Sequence, residues 1–101
     1  MVFLLATVWA PIVEEAIFRG ALFRAVRART GLVMAIGVSA FAFAVLHGYI
    51  VAGLVMVGTL GACFALMREW RGSVIASVTA HCIHNALVFS LTVAMARLMK
   101  G

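Results

Sequence analysis

A chain of 101 residues that is 66% hydrophobic, with eight Lys or Arg against three Asp or Glu and a net charge of +5, excludes ordinary soluble folds. A soluble domain of this size must cover its surface with polar side chains, and a mean hydropathy of +1.21 leaves too few of them. One proline, and no stretch rich in Ser, Gln or Glu, exclude disorder.

The composition therefore predicts an integral membrane protein, all-α, with about four transmembrane helices in one domain over residues 1–101. The basic residues stand in short clusters that interrupt apolar runs, the pattern of span ends rather than of nucleic-acid binding. A span needs about 20 apolar residues. The first runs over 2–23, interrupted by Glu14, Glu15 and Arg19, and is followed by a basic, helix-breaking stretch at 24–31. Residues 31–67 carry no Asp, Glu, Lys or Arg and are too long for one span. A bend near His47-Gly48 and Gly53 divides them into spans at 32–48 and 51–67. A polar loop with an interfacial Trp70 covers 68–72, and the last span covers 73–98. Four spans put loops 24–31 and 68–72 on one side, and their five arginines predict that side to be cytoplasmic. Cys63 and Cys82 lie inside apolar runs and read as small core residues. Gly58/Ala62 and Gly61/Ala65 read as small-residue pairs that let helices pack closely.

Ionisable side chains within spans are costly and usually functional. Here they are Glu14, Glu15, Arg19, His47, His81 and His84, with Asn85 beside the last. Adjacent helical residues diverge by about 100°, so Glu14 and Glu15 face different ways. Arg19, four residues after Glu15, is spaced to pair with it, which leaves Glu14 facing something else. A glutamate of that kind in a low-dielectric site suits a general base near neutral pH. Pro11, one turn before Glu14, predicts a kink. Phe43 and His47 share a helix face. Ser73, Ser77, His81 and Asn85 form another stripe; the two serines read as interhelical hydrogen-bond glue, and His81 with Asn85 as a functional pair. The His81-Cys82-Ile83-His84 tract is a weak metal signal by itself and leaves the part played by His84 open.

Three of these segments, in this order and spacing, resemble a known family. Glu14-Glu15-Ala16-Ile17-Phe18-Arg19-Gly20 resembles its E-E-x-x-x-R motif, Phe43 to His47 its F-x-x-x-H, and His81 to Asn85 its H-x-x-x-N. The family is that of the CPBP intramembrane proteases, also called the Abi or CAAX-protease family. It includes type II CAAX prenyl endopeptidases and bacterial bacteriocin-processing and self-immunity proteins. The resemblance covers about residues 9–90 and implies the helical core of that fold, cleaving peptide bonds in a membrane. It implies that Glu14 is the general base on water, that His47 helps hold the water, and that His81 and Asn85 stabilise the oxyanion. Glu15, Arg19 and Phe43 are then supporting residues. Members usually have more spans, so 101 residues correspond to a core or to a small member.

The same resemblance implies a peptide or protein substrate, either prenylated or a bacteriocin or leader peptide, and a multi-pass location, read here as a bacterial plasma membrane. A zinc-dependent version would use Glu14, His47 and His81 as ligands. The metal-free version is favoured, with no cofactor, because Asn85 is a poor zinc ligand and a good oxyanion donor. Two other readings compete: a non-catalytic immunity protein that binds peptide, and a fragment of a proton-coupled transporter. The latter predicts paired half-structures with broken helices, and the sequence shows no repeat. One geometric difficulty is expected: counted from the basic loops, His47 lies deeper than Glu14 and His81.

Overall fold

A computed structural model describes residues 1–48 and 51–101; Tyr49 and Ile50 lie outside the described residues. Among these, the chain is an all-α bundle with no strand. Four helical rods account for it. We label them α1 (residues 2–30), α2 (Leu32–Leu46), α3 (Val51–Arg71) and α4 (Ile75–Lys100).

Rod α1 is continuous but not uniform. Its winding is π-helical over Leu5–Trp9 and Ala16–Leu22 and α-helical over Ala10–Glu15 and Phe23–Thr30. The first π segment lies just before Pro11, whose missing N–H cannot serve the regular ladder, and a π turn is one way for a helix to accommodate that loss. The second begins directly after Glu15 and carries Arg19.

Two sequence expectations are corrected here. Residues 24–30 do not break the helix: arginine and alanine are good helix formers, and α-helix runs to Thr30. The break falls only at Gly31, with φ +108° and ψ −177°, a region essentially restricted to glycine. Likewise 68–71 is not a loop. Helix α3 continues through Arg71, and the turn begins at Gly72 (φ +71°). Gly31→Ala should therefore lower stability by about 1–3 kcal/mol. In contrast, Gly37→Ala, where an added β-carbon meets nothing within 4 Å, should cause no loss. Thermal unfolding of the two variants in detergent checks this.

The correction at 24–30 removes the difficulty over depth between Glu14 and His47. Glu14 and His47 lie at nearly equal distances along the chain from Gly31, so the α1–α2 hairpin brings them to the same height. Helix α2, at 15 residues, rises only about 22 Å, short of a hydrocarbon core of about 30 Å. It ends at Leu46 in a turn at His47-Gly48, where Gly48 has φ +68°. Helices α3 and α4 are long and apolar enough to cross a membrane.

The core lies where α1, α2 and α3 meet. Phe23, Ala35 and Ala65 are buried there, with Val26, Leu32 and Ile36 packed against them. Many large apolar side chains point outward, among them Val33, Phe41, Leu46, Val51 and Met56, as expected where lipid is the solvent. Cys63 is exposed and Cys82 half-buried, so only Cys82 approaches the core position expected of both. Alanine and glycine fill the tight helix contacts, and the larger thiol of Cys63 is left on the outer face. Ser73 and Ser77 do not bridge helices. Ser73 Oγ accepts from Ile75 N and Ser77 Oγ donates to the Val74 carbonyl, so both serve the start of their own helix.

The basic ends of α1 and α3 lie together, joined by Arg27, whose Nε and Nη2 donate to the Glu69 carboxylate at 3.0–3.2 Å. Glu69 lies beyond the apolar stretch of 51–67. Those hydrogen bonds, with the charges of Arg27 and Arg68, hold its pKa below the ordinary value against a desolvation that opposes them. A lowered carboxylate pKa adds stability at pH above the unfolded value, and the gain is lost as pH falls through the folded one. The stability difference between the parent and Glu69→Gln should accordingly be small, vanish on acidification and shrink with salt.

Candidate active site

Helical geometry divides the two adjacent glutamates between two different partners. Glu15 is fully buried. Its Oε2 accepts from Arg19 Nη1 at 2.8 Å and lies 2.9 Å from His81 Nδ1 on α4. A carboxylate only accepts, so Nδ1 of His81 carries the proton, and the ring is held with Nε2 directed away from Glu15. Phe64 stacks on the His81 ring at 4.8 Å between centroids and 20° between planes.

Arg19 is as buried as Glu15. Its Nη2 donates to the Gly61 carbonyl at 2.8 Å, and its guanidinium carbon lies 4.4 Å from the Phe43 ring centroid and 5.3 Å from that of Phe64. An arginine charge in an apolar bundle needs a counter-ion, acceptors for its N–H groups and aromatic faces. All three are present here.

Glu14, one residue earlier, turns to α2. Its Oε2 lies 3.2 Å from His47 Nε2, with side-chain exposures of 25% and 31%. The other nitrogen of His47, Nδ1, lies 2.7 Å from the Phe43 carbonyl oxygen. A carbonyl also only accepts, so Nδ1 carries the proton and Nε2 faces Glu14, where in a neutral ring it presents a lone pair. Glu14 Oε2 is sheltered from solvent and has no aligned hydrogen-bond donor among the described residues; the approach of His47 is within ion-pair distance but not directed as a hydrogen bond. Two lone-pair-bearing atoms at 3.2 Å repel unless a proton or a polarised group lies between them. The pair is arranged to share a proton or to bind a water jointly.

Phe43 serves both couples. Its carbonyl fixes His47, its ring contacts those of His47 and His81 edge-on, and its face receives Arg19. The i, i+4 spacing of Phe43 and His47 is what brings the carbonyl under the imidazole. Asn85 donates through Nδ2 to the Ala6 carbonyl at 3.0 Å. An amide NH₂ has two N–H bonds, so one is left for another acceptor. A cleft of about 370 Å³ opens beside these groups. It is lined by His47, His81, His84 and Asn85 and walled by apolar residues such as Val57, Leu60 and Phe89.

A family model described as type II CAAX prenyl endopeptidase Rce1-like matches residues 1–87. The chain belongs to this family. Its members are CAAX-type intramembrane proteases, embedded in the membrane, and the two candidate spans of this chain agree with that placement. No curated protein and no solved structure matches the chain.

For an Rce1-like chain, the fit to a metal is a matter of donor arrangement. Among the described residues, no group of three His, Cys, Asp or Glu side chains is placed to hold a metal ion. Glu14 and His47 approach each other, and His81 has Nδ1 held by Glu15, which leaves its Nε2 open. The described residues do not gather Glu14, His47 and His81 as a three-ligand set, and no step below runs through a metal.

The sequence reading missed Gly61, Phe64 and the Ala6 carbonyl. Gly61, Phe64 and Ala65 lie on one helical face of α3, which was a legible signal of packing. Nothing in that spacing shows that the face receives an arginine.

Proposed function

We propose that this protein is an intramembrane endopeptidase in which Glu14 activates water and attack takes place at the cleft beside His81 and Asn85. The observation that carries the reading is the division of the glutamate pair. One carboxylate is half-buried and lacks a directed donor among the described residues. The other is fully buried and neutralised by Arg19. A base must be free to take a proton. Glu14 meets that condition, and Glu15 is committed to holding His81.

In the proposed reaction, water lies beside the pair, against both Glu14 Oε2 and His47 Nε2, since at 3.2 Å the two leave no room between them. Glu14 takes its proton as the oxygen attacks the scissile carbonyl. Oxyanion stabilisation requires donors aimed at the developing charge. Asn85 has its second N–H for this. His81 donates through Nε2 when the ring is doubly protonated; its charge and that of Arg19 then share the one carboxylate of Glu15, and the oxyanion offsets the excess as it forms. Collapse of the tetrahedral adduct breaks the C–N bond, and the proton held by Glu14 passes to the leaving amine.

The apolar walls of the cleft fit a substrate with an apolar segment next to the scissile bond. The test is proteolysis in liposomes with a farnesylated C-terminal peptide, its unprenylated counterpart and a peptide library, with and without chelator. Chelator-insensitive cleavage at a defined bond supports the reading. Cleavage abolished by chelator and restored by zinc would replace it with a metal mechanism. Failure to cut any substrate while the protein is folded would favour a peptide-binding or immunity role.

A further inference from the structure

We propose that Gly61 is a positioning residue of this site, an inference that rests on the peptidase reading. Its carbonyl anchors Arg19, and its bare α-carbon provides the space from which Arg19 holds Glu15 and, through Glu15, His81. In sequence the two small-residue pairs of α3 look equivalent. In the structure they are not. A β-carbon at Gly61 would lie 2.9 Å from Arg19 Nη2, 3.1 Å from Ala40 Cα and 3.2 Å from Phe43 Cδ1. At Gly58, one turn earlier, it would meet only Ala44 Cβ at 3.9 Å, an ordinary contact.

The guanidinium has little room to yield. Arg19 is fully buried, Phe43 and Phe64 flank it, and its only hydrogen bonds among the described residues are Nη1 to Glu15 and Nη2 to Gly61. A guanidinium is planar and rigid, so pushing Nη2 away from Gly61 also moves Nη1 from Glu15 Oε2. That oxygen is the one that holds His81 Nδ1. A methyl group on α3 is thereby transmitted through two side chains to the imidazole facing the cleft, without touching it.

The test uses ¹⁵N-histidine-labelled protein in detergent, with the His81 ring signals assigned by His81→Gln. Ring signals and peptidase activity are compared in the parent, Gly61→Ala, Gly58→Ala, Arg19→Lys and Arg19→Lys/Gly61→Ala. Gly61→Ala should lose the hydrogen-bonded Nδ1 proton signal of His81 and about 100-fold in kcat, the scale of a small misplacement in a catalytic constellation. Gly58→Ala should keep both. Lysine has no Nη2, so the added methyl should cost at least about tenfold less in the Arg19→Lys background, a difference of about 1.4 kcal/mol.

An unchanged His81 signal and unchanged activity in Gly61→Ala would overturn the proposal. An equal loss from the added methyl in the parent and in the Arg19→Lys background would overturn it too, since the effect would then come from helix spacing at Ala40. If Gly61→Ala does not fold, a folded double variant supports the proposal, and an unfolded one beside folded Arg19→Lys overturns it. If the parent cuts no peptide, the peptidase reading fails, and the His81 signal still decides the role of Gly61.

Discussion

Glu14→Ala should cut cleavage steeply and leave the fold intact. General-base catalysis contributes about 10²- to 10⁴-fold, so kcat should fall by that amount, measured in liposomes on whichever peptide the parent cuts. Stability should change little, because Glu14 is a quarter exposed and faces His47, itself about a third exposed. Truncating a half-buried side chain in such a place leaves no stranded charge. His47→Ala should also lower kcat, with a smaller loss than Glu14→Ala, since the base survives. Retention of parent-like cleavage by Glu14→Ala would remove the glutamate from the mechanism, and a melting temperature lowered as far as that of the Arg19 variants would make it structural.

Arg19→Met produces the opposite balance: a large loss of stability, with activity lost as a consequence. Arg19 and Glu15 are both fully buried and joined at 2.8 Å. Breaking such a pair by removing one partner costs about 3–5 kcal/mol, because the other charge stays buried and uncompensated. Replacing both partners by apolar residues of similar volume is often neutral. Arg19→Met/Glu15→Leu should therefore recover most of the stability lost in Arg19→Met, read by circular dichroism during SDS titration from mixed micelles. It should not recover cleavage, since His81 is left without the carboxylate that orients it. Recovery of both properties would show that the Glu15–His81 contact does not matter for catalysis. Recovery of neither would show that the pair's worth is in packing.

The two variants together separate the roles of residues adjacent in the chain. Glu14 and Glu15 have the same chemistry and differ by one helical step. That step places one carboxylate toward the His47 turn and the other into the buried space between α1, α3 and α4.

Much of this was legible in the sequence. The membrane class followed from having too few polar residues to cover a soluble surface. The Glu15–Arg19 pairing followed from i, i+4 spacing, and the divergence of Glu14 from the same arithmetic. The joint placement of the two basic ends followed from counting spans, and the Arg27–Glu69 bridge places them so. Local periodicity suffices for each of these, because each concerns residues on one helix or the parity of the spans.

The tertiary structure alone decided which helix each polar side chain meets. His81, for example, lies on the helix-wheel stripe of Asn85 in the sequence, and the structure turns its Nδ1 to Glu15 on another helix. Helix pitch fixes the direction of a side chain on its own rod, whereas the heights of facing residues depend on where turns fall. The turns expected over 24–31 and 68–72 begin only at the last residue of each stretch, because arginine clusters mark a membrane interface without ending a helix. Only the glycines, at Gly31 with φ +108° and Gly72 with φ +71°, end them. With those ends in place Glu14 comes level with His47, and a glycine of α3 that reads as mere packing receives the arginine on which the second glutamate depends.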